Sequence, residues 1–160
     1  MKKEFKELPY RKNVCLVTFR EKKFLLINLS NWPDDWWKFP QGGIEDGENL
    51  MEAGIREFRE EIGTNKFKII GSSRYTNDYN WPDDVIEVKG KRWRGQTQQF
   101  LVIEFQGKDK DIKLNNSEVR QYKWVNKKEI LNFSQNKEHM LFQNYNGIIP
   151  WILKEYKDFL

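Results

Sequence analysis

The densest chemistry in this chain lies in the run Arg56-Glu57-Phe58-Arg59-Glu60-Glu61. Successive residues of an α-helix turn by about 100°, so a helix here puts Glu57, Glu60 and Glu61 on one side, spread over roughly 100°. Like charges three or four residues apart each cost about 0.2–0.5 kcal/mol, which Arg56 and Arg59 offset only in part. Such a cluster of hard oxygen ligands, with nearby backbone carbonyls, is what Mg²⁺ or Mn²⁺ prefers. Bound ions of this kind bridge phosphate oxygens, acidify a water and neutralise charge that develops in an in-line displacement. Taken alone, the string fits an ordinary solvated, salt-bridged helix better; its surroundings change that.

Those surroundings are a helical pattern from Asn49 to Ile62, with Met51, Ile55, Phe58 and Ile62 on one stripe. Asn49 reads as the N-cap with Glu52 three residues on, and Gly63 as the C-cap. Gly54 falls mid-helix, where glycine costs about 1 kcal/mol against alanine. Before the helix come two strand-like runs, residues 13–19 and 23–28, joined by the turn Arg20-Glu21-Lys22, and then the glycine-rich PQGG. After it, residues 66–75 and 97–106 read as strands separated by a long loop carrying Trp81-Pro82 and the basic stretch Lys89 to Arg94. Residues 121–125 read as a strand, 127–133 as a short helix, and the end of the chain as a helix led by Pro150. This order predicts an α/β fold, a mixed sheet between helices, in one domain spanning 1–160.

Composition removes several rival chemistries. His139 is the sole histidine, which excludes zinc sites built on two or three imidazoles. Cys15 is the sole cysteine and sits in an apolar run, so it is expected to be a buried spectator thiol. The apolar runs are strand-sized and too short to span a bilayer, and MKKEFKELPYRKN lacks the apolar core of a secretory signal, so a cytoplasmic location and no membrane partner are expected. A net charge of +4 mildly favours anionic partners.

The segment GGIEDGENLMEAGIREFREEIGT at 42–64 resembles the Nudix box, G-x(5)-E-x(7)-R-E-U-x-E-E-x-G-U, through Gly42, Glu48, Arg56, Glu57, Glu60, Glu61 and Gly63. Phe58 and Thr64 depart mildly from it, each at a position usually held by a bulky aliphatic residue. The resemblance implies a Nudix-type α/β/α sandwich with a mixed β-sheet, and Mg²⁺ or Mn²⁺ held by Glu57, Glu60 and Glu61. Glu60 or Glu61 is then the proton acceptor, while Gly42, Glu48, Arg56 and Gly63 shape and brace the box. WWKFPQGGIEDGE, GQTQQFLVIEF and EVRQYKWV further resemble the branch containing asymmetric dinucleoside polyphosphate hydrolases and bacterial RNA pyrophosphohydrolases. That likeness adds Glu118 to the metal ligands, and Arg11, Tyr79, Gln96 and Gln98 to the substrate cleft.

The implied reaction is hydrolysis of a phosphoanhydride bond in a nucleoside polyphosphate. GQTQQF and IEDGE lean toward a dinucleoside tetraphosphate such as diadenosine tetraphosphate, with Tyr79 as a stacking platform. SNWPDDW lacks the arginines that the RNA enzymes carry there, so a triphosphorylated RNA 5′ end is the alternative. A third reading, a Nudix module that binds a nucleotide without cutting it, conflicts with the retained box carboxylates.

Overall fold

The apolar runs of β1 (Tyr10–Arg20) and β2 (Lys23–Leu29) form a hairpin whose turn residues Glu21 and Lys22 both have positive φ. That geometry matches the right-handed twist of paired strands. In the computed structural model, which describes residues 1–160 except the side chains of Met140 and Phe142, these strands sit inside a larger mixed sheet. A short β3 (Gln41–Gly43) is followed by the helix α1 (Leu50–Ile62), β4 (Phe67–Asn80), α2 (Asp83–Val88) and β5 (Gly95–Phe105). Then come β6 (Val119–Asn126), α3 (Lys127–Gln135), α4 (Met140–Tyr145) and α5 (Ile149–Glu155). The strand order is β4-β5-β1-β2-β6, with β1 and β5 parallel and the remaining pairs antiparallel. β3 pairs with the start of β1 along the same edge that meets β2 at its end.

Alternation along β1 and β5 divides the core. Val14, Leu16, Leu101 and Ile103 point to α1, where they meet Ala53, Phe58 and Ile62. Cys15, Val17, Phe100 and Val102 point to the other side and pack with Ile130, Tyr145, Ile149 and Ile152 of the C-terminal helices. Both faces are covered, so the expected α/β/α sandwich is present, and its strands read as continuous apolar runs. Burial pushes the Cys15 thiol up to about 12, which fits an inert packing residue.

Four expectations need correction. The stripe of α1 is turned from the one expected: Met51 is 42% exposed, while Ala53, Gly54, Phe58, Glu61 and Ile62 are buried. Small residues carry the contact there, and a Cβ on Gly54 would lie 2.4 Å from Leu101 Cδ1, which accounts for the mid-helix glycine. β4 runs on to Asn80 and β5 starts at Gly95, so the connection between them is shorter than expected and contains α2. Gln41–Gly43 of the glycine-rich PQGG form the strand β3, and a further helix, α4, precedes α5.

Candidate active site

Rotation of the α1 stripe brings two of its acids to the edge of the core. Asn49 caps the helix by accepting from the Met51 and Glu52 amides while Glu52 returns the bond to Asn49 N, and Gly63 closes the other end in the left-handed conformation. A cap of this kind contributes about 1 kcal/mol and fixes where the helix begins, hence which residues face the sheet.

Arg56 holds the outer part of the site. Its Nε donates to Glu48 Oε1 at 2.6 Å and its Nη2 to Glu48 Oε2 at 2.8 Å, a bidentate clamp across the loop preceding the helix. The same guanidinium donates to Gly43 O at 2.8 Å, Glu57 Oε1 at 2.7 Å and Glu60 Oε2 at 3.3 Å. The Arg56 hydrogen bonds hold Glu48 down at about 2. β3 is tied in from its other side: Asn13 Nδ2 donates to Gly42 O at 2.7 Å, and a Cβ on Gly42 would sit 1.8 Å from the Glu57 carboxyl carbon. Only glycine lets the strand approach that carboxylate while Arg56 holds it.

Glu61 lies deeper. It is 4% exposed, its Oε2 accepts from Gln41 N at 2.9 Å, and its Oε1 stands 3.7 Å from Nζ of Lys38, itself 7% exposed. Burial pushes Glu61 up to about 7 against the opposing pull of Lys38 and the Gln41 amide, with Glu57 and Glu118 adding like charge. Glu57 is also raised, first by burial.

Glu57, Glu60, Glu61 and Glu118 all wall one cavity of about 650 Å³, together with Lys38, Gln41–Gly43 and Arg11. Among the described residues no three carboxylates stand close enough to share an ion, because Arg56, Lys38 and the Gln41 amide engage them separately. The donor set nevertheless fits a hard divalent cation: four carboxylates around one cavity, with one of them buried beside a single ammonium group.

The cleft residues distribute differently. Arg11, Gln96 and Tyr79 are register partners across β1, β5 and β4, and Asn13, Gln98 and Asn77 form the neighbouring row. Of the first row only Arg11 reaches the carboxylate cavity, its guanidinium lying against Gly43. Tyr79 donates to Gln96 Oε1 at 2.7 Å and its ring packs with Phe5, Trp81 and Ile86. Gln98 is fully buried; it accepts from Asn77 at 2.7 Å and donates to Gln41 Oε1 at 3.4 Å, which Tyr145 also meets. The structure therefore sets Gln98 beneath β3, and does not set Tyr79, Gln96 or Gln98 in the cavity wall.

Lys38 and Gln41 went unnoticed in the sequence. The available signal for Lys38 was a lone cation between Trp37 and Phe39, which as a strand-like position pairing with Ile27 must bury its side chain.

A family model described as the NUDIX domain matches residues 9–151. The chain belongs to the Nudix family. Among similar proteins, the RNA pyrophosphohydrolase of Gluconobacter oxydans (strain 621H) is 38% identical over 130 residues, covering 78% of this chain and 76% of that one. The RNA pyrophosphohydrolase of Orientia tsutsugamushi (strain Boryong) is 36% identical over 134 residues, covering 81% and 83%. A C. elegans Ap4A hydrolase shares the fold with a TM-score of 0.60 at 22% identity, covering 90% of this chain and 98% of that one. The E. coli dihydroneopterin triphosphate pyrophosphohydrolase does so with a TM-score of 0.63 at 17% identity, covering 84% and 96%. This Nudix protein is a hydrolase of phosphoanhydride bonds, and members of its family generally need divalent metal ions. Among the described residues no helix is long and apolar enough to cross a membrane.

Proposed function

We propose that this Nudix hydrolase removes pyrophosphate from the triphosphorylated 5′ end of RNA. The observation that carries the reading is similarity at 34–38% identity, over about three quarters of the chain, to proteins named RNA pyrophosphohydrolase. This reverses the order drawn from the sequence, where a dinucleoside tetraphosphate came first. The packing of Tyr79 points the same way, since its ring is held against Phe5, Trp81 and Ile86 and its hydroxyl is bound to Gln96. The dinucleotide reading keeps the support of GQTQQF and IEDGE alone; the Ap4A hydrolase likeness is one of fold.

In this reading Glu57, Glu60, Glu61 and Glu118 hold divalent metal, Mg²⁺ first and Mn²⁺ as substitute. When bound, the metal supplies charge neutralisation and an acidified water. Arg11 and Lys38 contribute cationic contacts to phosphate oxygens at the cavity wall. Water attacks a phosphorus of the chain, a new P–O bond forms, and the phosphoanhydride bond opposite it breaks to release pyrophosphate. Glu60 or Glu61 accepts the proton of the attacking water; Glu61 is the more closely held of the two, its Oε2 fixed by the Gln41 amide.

The test is product analysis with Mg²⁺ on triphosphorylated RNA, diadenosine tetraphosphate and nucleoside triphosphates, run in ¹⁸O water. Pyrophosphate and 5′-monophosphorylated RNA, at a kcat/KM above that of the other substrates, are expected. A dinucleotide cleaved more efficiently than the RNA overturns the assignment.

A further inference from the structure

The helix α4 is six residues long, yet it is tied down near both ends. His139 caps its start, Nδ1 accepting from Leu141 N at 3.1 Å. Near its end, Asn77 of β4 donates to Asn144 O at 3.1 Å and accepts from Asn146 Nδ2 at 2.8 Å. The last residue of the helix, Tyr145, is fully buried, its ring centroid 5.7 Å from that of Phe39 and 6.0 Å from that of Phe100. A buried phenol needs partners for its hydroxyl, and this one has two. Its Oη accepts from Phe39 N at 3.0 Å and donates to Gln41 Oε1 at 3.1 Å.

Both partners belong to the stretch at 38–41, which engages Glu61. Lys38 exchanges backbone hydrogen bonds with Ile27 of β2, and Pro40 O accepts from Leu16 N at 2.8 Å; between them the Phe39 amide has the Tyr145 hydroxyl as its partner. From this stretch Lys38 sets its ammonium 3.7 Å from Glu61 Oε1, and Gln41 N donates to Glu61 Oε2 at 2.9 Å. β3 has only three residues with which to hold its own position. One hydroxyl, 104 residues beyond Gln41 in the chain, therefore grips both the amide next to Lys38 and the side chain of Gln41. Support of this kind matters to rate, since a misplacement of about 1 Å that begins far from the chemistry can cost about 10²-fold.

We infer that Tyr145 is a positioning residue of the hydrolysis: its hydroxyl locks Phe39 and Gln41 together, so that Lys38 and the Gln41 amide hold the Glu61 carboxylate in place. Tyr145 does not belong to the cavity wall, and its effect passes through the stretch at 38–41. The inference rests on the metal-holding role proposed for Glu61, and it is independent of which substrate the protein prefers.

Tyr145→Phe removes the hydroxyl and keeps the ring; the test makes it both in the parent and in Glu61→Gln. Turnover is followed with Mg²⁺ on the substrate that the parent cleaves fastest, at enzyme concentrations high enough to read the slow variants. In the parent background kcat is expected to fall about tenfold at unchanged KM, the low end for partners that orient metal-holding residues. In Glu61→Gln the same substitution is expected to lower kcat by less than about twofold, because its effect runs through that carboxylate. Equal falls in both backgrounds mark a general packing loss and overturn the inference, as does an unchanged kcat in folded Tyr145→Phe. Should Tyr145→Phe fail to fold, Gln41→Met decides: it keeps the amide from which Glu61 accepts and removes the side-chain oxygen that Tyr145 binds. It is expected to lower kcat several-fold in the parent and hardly at all in Glu61→Gln, and an unchanged kcat or equal falls overturn the inference there too. Near-normal turnover of Glu61→Gln alone withdraws the role of that acid and the inference with it, whereas a crippled Glu61→Gln beside equal falls withdraws the inference only.

Discussion

Two glutamates of the box occupy opposite environments. Glu48 sits at the rim, clamped by both sides of the Arg56 guanidinium and held down at about 2; Glu61 sits 4% exposed, with an ammonium 3.7 Å away, and is pushed up to about 7. The motif writes the same letter for both. What separates them is the number and closeness of donors against the water lost, so one acid is fixed as a charge and the other is left needing a cation. A clamped acid at the rim and a buried acid are thereby distinguished by surroundings that the motif does not state.

The largest effect should come from Glu61→Gln. With the fold retained, kcat is expected to drop by at least about 10²-fold, the range for a lost base or charge stabiliser, while Glu48→Gln lowers it far less. Near-normal turnover in a folded Glu61→Gln protein, measured by steady-state kinetics, removes that acid from the mechanism and collapses the contrast. Arg56→Met attacks the other side. It frees Glu48, Glu57 and Glu60 from their shared cation, and urea denaturation should record a loss of about 1–2 kcal/mol after allowance for solvent screening. No measurable loss would mean that the clamp braces nothing.

A third effect is one of pH. In metal-free protein the folded state keeps the Glu61 proton up to about 7, whereas the unfolded chain releases it near 4.5. The folded state therefore binds more protons inside that window, and stability falls as pH rises through it, by at most about 1.4 kcal/mol per pH unit. Thermal denaturation between pH 4.5 and 7 should show this slope in the parent and a flatter one in Glu61→Gln. An identical slope in both places the titration elsewhere. The smallest effect belongs to Glu118, exposed on the loop before β6. Glu118→Gln should raise the Mg²⁺ concentration for half-maximal activity several-fold and recover with excess metal; coincident titration curves would make it a plain loop acid.

Local rules wrote much of this architecture openly. Asn49, Glu52 and Gly63 mark the ends of α1 because capping depends on near neighbours alone, and the apolar runs of β1 and β2 declare strands covered on both faces. What depends on distant partners was hidden. The α1 stripe turned because Ala53 and Gly54 present little hydrophobicity of their own yet let Leu101 approach. β3 is too short for a periodicity, and α2 sits in a stretch whose acids and tryptophans read as loop. Within the site, the box acids were legible from spacing, whereas Lys38 becomes visible only once its pairing with Ile27 shows that its side chain must turn inward. Tyr79 and Gln98, expected in the substrate cleft, also bond to the distant Gln96, Asn77 and Gln41, partners that no local pattern reveals.

The parallel pairing of β1 with β5, which joins Tyr10 to Gly95 and Phe19 to Glu104, bears on how the protein is made. A ribosome delivers β1, its hairpin partner and the capped helix well before β5 exists. Until then α1 lacks Leu101, Ile103 and Phe105, buried members of the cluster in which it packs. Pairings between such distant segments form slowly. The nascent chain should therefore carry its complete box, exposed and without function, until synthesis has passed Phe105, and nascent fragments ending before that strand should display a protease-sensitive helix.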